Sequence, residues 1–302
     1  MYNYWGYGLT IASEIEFPEF LSFDFGTPDI TISLGKTPIA LTDDDIIKRV
    51  NVHIGRTEYL LKSVNVANYY AVNGNSIVVE PMPGADDKSI RLFLLSNAMA
   101  AILHQRDTIS LHASAISYDG GLVLFCGASG AGKSTTATML QQKGYKIISD
   151  DVCVLKTEGN VVTSVPSYPM MKLWEDSFIK TGLPAAEDIN KIRPLLPKYA
   201  RFFHESFDIS PRPVKKVFVL DNSSPVNDVS IEPISAVNAF KELQKNTYRP
   251  VQMNAMQKRG SHFAAISKLT AAAAVYKITR PQWTDTLTRI VDLITQTLDR
   301  HD

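Results

Sequence analysis

Along residues 1 to about 85 the apolar positions come in short, partly alternating runs at 7–11, 30–34, 50–54, 59–64, 67–72 and 77–79, punctuated by Gly, Asn, Pro and Asp. A period near two with such punctuation predicts strands. Asn73-Gly74, between two of these runs, is a hairpin signal. The acidic run Asp43-Asp44-Asp45 reads as a solvated loop or a helix start. At PGADDKSIRLFLLSNAMAAILHQRD the period changes. Asp86 or Asp87 can cap a helix, and Ile90, Phe93, Leu94, Ala98, Ala101 and Ile102 fall on one face of it. Leu92, Leu95 and Met99 make its other sides apolar too, which predicts a helix buried between two layers.

From Thr108 the pattern becomes strand (ISLHASAISY), strand (GLVLFCG), glycine-rich loop, helix 133–143, and strands YKIIS and VCVLK. Seven prolines make 159–213 read as loops with short elements. VKKVFVL and AVYKIT read as strands. The stretches 234–246, 261–272 and 283–298 read as helices, the last with an apolar stripe of Leu287, Ile290, Val291, Ile294 and Leu298 that predicts packing on the core. The expected class is α/β (or α+β), with a β-rich N-terminal domain over 1–107 and a loop-bearing domain over 108–302.

Composition narrows the function classes. Hydrophobic residues at 45% suffice for a core, and 31 basic against 31 acidic residues leave no global field for nucleic acid or an anionic membrane. No apolar run approaches a membrane span, and the first residues lack the features of a signal peptide, so a cytoplasmic protein is expected. Cys126 and Cys153 each sit in an apolar run and read as buried thiols.

The chemistry is concentrated after residue 110. Gly127-Ala128-Ser129-Gly130-Ala131-Gly132-Lys133-Ser134 fits the G-x-x-x-x-G-K-[ST] phosphate loop, preceded by the apolar run 122–126 and followed by a helix-forming stretch that begins Thr135. Backbone N–H groups there can cradle phosphates, Lys133 can reach the β and γ phosphates of ATP, and Ser134 can sit on Mg²⁺. Strand 147–151 ends in Asp150-Asp151. One carboxylate can hold the metal, Asp150 being the expected ligand, and the other can take a proton from an acceptor hydroxyl. Neighbours on an extended chain point to opposite sides, so both face the phosphate only where the strand has already ended. His112 would ordinarily read as a satisfied core residue, yet on the strand before the loop it could tune the carboxylate or contact the phosphoryl group. Arg193, Lys198, Arg201, Arg212 and Arg249 are candidates for further cationic help. A switch GTPase would need N-K-x-D and a transporter ATPase LSGGQ; neither occurs.

LHASAISYDGGLVLFCGASGAGKSTTATMLQQKGYKIISDDVCVL resembles the core of HPr kinase/phosphorylase and related kinases. His112 stands fifteen residues before Gly127 and Asp150 seventeen after Lys133, in matching order. The resemblance implies ATP- and Mg²⁺-dependent phosphorylation of a serine hydroxyl. It makes Lys133 the phosphate-binding lysine, Ser134 a metal ligand, and Asp151 or Asp150 the base, with His112 in support. It also implies a further acidic metal ligand downstream, for which Asp176 (or Glu175) in KLWEDSF is the candidate. An RPGR-like segment for phosphorolysis is missing. The YWGYGLTIASEI opening, the LHASAI strand and the VFVL and PISAVNAFKELQKNTYRP stretches are similar instead to a divergent branch that includes lasso-peptide precursor kinases. The expected partner is thus a peptide or small protein bearing a serine, with HPr or free serine as alternatives. The resemblance also allows a homo-oligomer, and a non-catalytic nucleotide-binding regulator is the reading of another class.

Overall fold

The computed structural model describes residues 1–221, 226–282 and 284–300. Its N-terminal part is one nine-stranded sheet. From one edge to the other run Leu21–Ser22, Tyr2–Gly6, Leu9–Ser13, Ile30–Leu34, Ser76–Pro81, Ala67–Val72, Glu58–Ser63, Val52–Ile54 and Ile47–Arg49. The expected run 7–11 is split. Tyr7 (φ 58°) and Gly8 (φ 76°) form the turn between two paired strands. Asn73 and Gly74, with φ of 55° and 69°, make the expected tight hairpin. Both central residues of such a turn need positive φ.

The helix after this sheet is capped by Asp86, whose carboxylate accepts the Ser89 N–H. It runs as Asp87–Phe93, widens into a π-helical turn over Leu94–Ala98, and resumes as Met99–Gln105. It is apolar all round because it is covered on both sides. Ile11, Tyr69 and Val79 of the sheet and Val154, Tyr168 and Tyr248 of the C-terminal part pack with it in one continuous core.

In the second sheet the strand Gly121–Gly127 lies between Ala113–Tyr118, antiparallel to it, and Arg212–Asp221, parallel to it. Ala274–Thr279 extends the parallel set. Leu122, Leu124 and Cys126 pack with Leu243 and Ile266 of the helices Ala236–Lys245 and Arg259–Ala272. Val123 and Phe125 face the other way, onto Leu140, Ile290 and Ile294 of the helices Lys133–Gln142 and Leu287–Asp299. Burial on both faces is why GLVLFCG is continuously apolar rather than alternating. The final helix keeps the expected stripe but begins at Leu287; Trp283 lies outside the described residues.

The proline-containing stretch 159–213 is more ordered than its composition suggests. Val161–Val165 joins the second sheet, Met170–Trp174 pairs with Lys198–Phe202, and Glu175–Thr181 is a short helix. Pro166, Pro169 and Pro197 sit between these pieces, leaving the ladders intact. Both cysteines are buried and unpaired, and burial pushes the Cys126 thiol up to about 12. No helix among the described residues is long and apolar enough to cross a membrane.

Candidate active site

The glycine-rich loop leaves the carboxyl end of Gly121–Gly127, beside the carboxyl ends of its parallel neighbours. Open α/β sheets bind ligands at that edge. Gly127 has φ +149°, and a Cβ there would lie 2.8 Å from the Leu220 carbonyl oxygen. This position therefore demands glycine. Gly132, left-handed at φ 95°, starts the helix Lys133–Gln142. Lys133 is buried and its ammonium donates to the Gly127 and Ala128 carbonyls at 2.8 and 3.1 Å. Burial pulls it below the ordinary lysine range, with Asp150 working against that shift. Ser129, Gly130, Gly132, Ser134 and Thr135 line a cleft of about 630 Å³, whereas Ala131 is buried beneath the turn. Thr135 shares a 3.0 Å hydroxyl hydrogen bond with Ser177.

Two neighbouring strands break at the same level, and the break gathers the remaining groups. Ile109–Leu111 pairs with Cys153–Glu158, and Ala113–Tyr118 pairs with Ile147–Ser149. His112 interrupts one ribbon; Asp150, Asp151 and Val152 interrupt the other. The strand has therefore ended before the acidic pair. Asp151 takes φ 68°. Aspartate tolerates this left-handed conformation better than most residues, and such strain often marks a functional site.

The two carboxylates live in different surroundings. Asp150 is 1% exposed and accepts from Ser114 Oγ (2.6 Å), Ser134 Oγ (2.8 Å) and the Lys172 backbone N–H (2.9 Å). Asp151 is only partly buried, and its Oδ2 accepts from Lys172 Nζ at 2.8 Å. His112 Nδ1 lies 2.9 Å from the Asp151 carbonyl oxygen and 3.3 Å from its Oδ1. Both partners are acceptors, so Nδ1 carries the hydrogen and Nε2 keeps its lone pair in the neutral ring. Burial disfavours ionised Asp151, but Lys172, His112 and Lys198 together hold its carboxyl well below the usual range. Burial also lowers the His112 pKa, with Asp151 opposing it in part. Lys172 has only 5% of its side chain exposed. Burial alone would lower its pKa, but Asp151 outweighs that and holds it above the usual lysine range.

A second cleft of about 740 Å³ opens on the other side of this cluster. His112, Ser129, Asp151, Lys172, Trp174 and Lys198 line both clefts. The segment 246–250 borders the second cleft and ties it to the loop. The Asn246 carboxamide oxygen accepts the Gly127 N–H at 2.7 Å, and the Asn246 backbone carbonyl accepts the His112 N–H at 2.8 Å. Tyr248 lies against the His112 ring, 6.2 Å between centroids.

Among residues singled out from the sequence, the structure brings together Lys133, Ser134, Asp150, Asp151 and His112. Arg193, Lys198 and Arg249 border the second cleft. Arg201 instead bonds Gln141, and Arg212 pairs with Asp208. Asp176 lines the first cleft but is largely exposed and pairs with Lys180 at 2.6 Å. Among the described residues no three His, Cys, Asp or Glu side chains gather with metal-holding geometry. Sequence reasoning missed Ser114, Lys172, Asn246 and Arg280. Arg280 lines the first cleft and donates to the Ala131 carbonyl at 3.2 Å. A lysine in the apolar strand MMKLW was a usable signal for Lys172, because a buried ammonium requires a partner.

A scan of the sequence against protein-family models gives no match, and a search of curated proteins gives no significant one. Among solved structures, the chain is similar to the Hpr(Ser) kinase/phosphatase from Coxiella burnetii, with 16% identity and a TM-score of 0.32 over 62% of this chain and 89% of that one. That likeness is too slight to carry residue roles across.

Proposed function

We propose that this chain is an ATP-dependent phosphotransferase of the HPr-kinase type, transferring the γ-phosphoryl group to a serine hydroxyl. One observation carries the reading: Asp151 and His112 stand where a phosphate-loop cleft meets a second cleft of acceptor size. A module that merely binds nucleotide needs no such junction. Asp151 is the proton acceptor of the pair, since Asp150 already accepts three hydrogen bonds and is buried.

Lys133 and the loop N–H groups hold the β and γ phosphates and offset charge as it develops. Ser134 Oγ and Asp150 Oδ1, 2.8 Å apart, form a small all-oxygen donor set. Such a set suits Mg²⁺, an ion that keeps most of its waters. Bound there, Mg²⁺ would neutralise phosphate charge. Asp151, steadied by Lys172 and His112, orients the serine hydroxyl for in-line attack. The serine O–Pγ bond forms, the bond from Pγ to the β–γ bridging oxygen breaks, the hydroxyl proton passes to Asp151, and ADP leaves. A carboxylate of low pKa serves, because most of the proton moves late in a loose transition state.

The acceptor favoured by the resemblance in the opening, LHASAI, VFVL and 233–250 stretches is a peptide, as in lasso-peptide precursor kinases that act on a terminal serine. HPr and free serine are the alternatives. The test is incubation with ATP, Mg²⁺ and each of three acceptors (a peptide ending in serine, HPr and free serine), followed by mass spectrometry. Phosphoserine in one of them is expected. ATP hydrolysis with no phosphorylated acceptor would favour the regulator reading.

A further inference from the structure

The second cleft holds more positive charge than a neutral hydroxyl requires. Arg193, Lys198, Lys245 and Arg249 line it together with Lys172, and the carboxylate lining it is Asp151, already paired with Lys172. Lys245 pairs with Glu242. Among the described residues, Arg193, Lys198 and Arg249 form no close ion pair, although Arg193 acts on Asp86 and Lys198 on Asp151 at longer range. Each is instead backed by an aromatic face: Arg193 over Phe93 at 5.6 Å, Lys198 over Trp174 at 5.4 Å and Arg249 over Tyr248 at 5.6 Å. Aromatic backing steadies a cation without neutralising it.

Arg249 is held with particular care. Its backbone is left-handed, at φ 49° and ψ 56°. A non-glycine residue keeps that conformation only where its surroundings enforce it. Its Nε donates to the Ser96 carbonyl at 3.1 Å, and Tyr248 Oη donates to the same oxygen at 3.2 Å. Ser96 belongs to the π-helical turn, whose neighbouring Asn97 carbonyl accepts from Gln252 at 3.2 Å. The widened turn thus presents carbonyls that anchor the Arg249 corner, and π-turns recur at functional sites. Leu92 and Phe93, from the preceding turns of that helix, add an apolar wall.

We infer that the acceptor is anionic: it carries a carboxylate close to its hydroxyl, and Arg249 and Arg193 hold that carboxylate while the N-terminal helix fixes Arg249. The inference rests on the kinase reading for the hydroxyl and on the cleft alone for the charge. A planar guanidinium matches a planar carboxylate, and phosphate is already served by backbone N–H groups on the other side. A carboxylate can come from a chain terminus or from an Asp or Glu beside the serine.

The test uses the full chain and short acetylated peptides: Ala-Ala-Ser with a free terminus, the same peptide amidated, and amidated Ala-Asp-Ser-Ala. A matching set has alanine in place of serine. Calorimetry on the alanine set reads binding without transfer, and initial rates on the serine set read KM and kcat. The carboxylate peptides should bind about tenfold or more tightly than the neutral amide. Which of the two does so identifies the source of the carboxylate. Arg249→Gln and Arg193→Gln should each erode that preference through KM rather than kcat, with partial rescue by Arg249→Lys. Equal affinity for charged and neutral peptides in the unmodified protein would overturn the inference, and needs no variant to fold. A preference in binding with no transfer to any serine would sink the kinase reading and leave the anion site standing. Transfer without preference would do the reverse.

Discussion

The two clefts that meet at Asp151 are built on opposite plans. The glycine-rich loop on the first side is one contiguous stretch, 127–135, that offers backbone N–H groups at a helix start, although the cleft around it takes other walls from Lys172, Asp176 and Arg280. The second cleft draws on stretches scattered from Leu92 to Pro250, and beside the loop residues 127–129 it offers side chains of Arg, Lys and aromatic residues. A site made of backbone geometry has to be written locally, because glycine spacing dictates the turn. A site made of side chains can be assembled by the fold from anywhere, and so leaves no local signature.

The largest effect expected at this junction comes from Asp151→Asn, which should lower kcat for transfer by about 10²–10⁴-fold with ATP affinity near that of the parent. The substitution also strands the buried Lys172 ammonium. Asp151→Asn combined with Lys172→Met should therefore regain stability without regaining kcat. Asp150→Asn should act on the other cleft, raising the Mg²⁺ concentration and ATP KM needed. Equal kinetic signatures for the two aspartates would erase the distinction drawn between them.

A smaller effect is expected from Asn246→Ala. It leaves the buried Gly127 N–H without its acceptor. An orphaned donor of this kind costs about 1–3 kcal/mol. A lower Tm and a raised ATP KM should follow, and Asn246→Asp, which keeps an acceptor oxygen, should recover part of both. An unchanged ATP KM would show that the loop holds its shape without the downstream segment.

The smallest is a pH effect. Burial depresses the His112 pKa. The ring therefore stays neutral down to a pH below its ordinary value of about 6.5 and charges only beneath that. Transfer should hold on mild acidification, then fall with a midpoint under that value, and His112→Asn should flatten this limb. A midpoint above the ordinary histidine value would contradict the buried, neutral ring.

Much of this molecule was legible because local rules wrote it. The hairpin at Asn73-Gly74, the Asp86 cap, the loop and the stripe of the last helix each follow from a few adjacent residues. The 159–213 stretch was not legible as sheet. Its strands are short and set apart by Pro166, Pro169 and Pro197, and its pairing of Met170–Trp174 with Lys198–Phe202 joins segments separated by a helix and a long loop. At the site, His112 and the acidic pair stood out by position. Ser114 and Asn246 did not, since each matters only through a partner supplied by another strand or loop, and Lys172 had only its place in an apolar strand to mark it. The π-turn was illegible for a related reason. Its sequence is that of an ordinary buried helix, and outside side chains (Tyr7, Tyr248, Arg249 and Gln252) donate to its carbonyls.

Asn246 touches both plans at once, with its side chain on the phosphate loop and its backbone carbonyl on His112. A loop that shifted on binding nucleotide would move a residue that borders the other cleft. If ATP and an acceptor bind these two sides as proposed, they share one element, and an occupancy of either side that raised affinity on the other would do so by the same factor in both directions. Such reciprocity would restrain futile hydrolysis, because the phosphate loop would reach its full grip only when an acceptor had arrived.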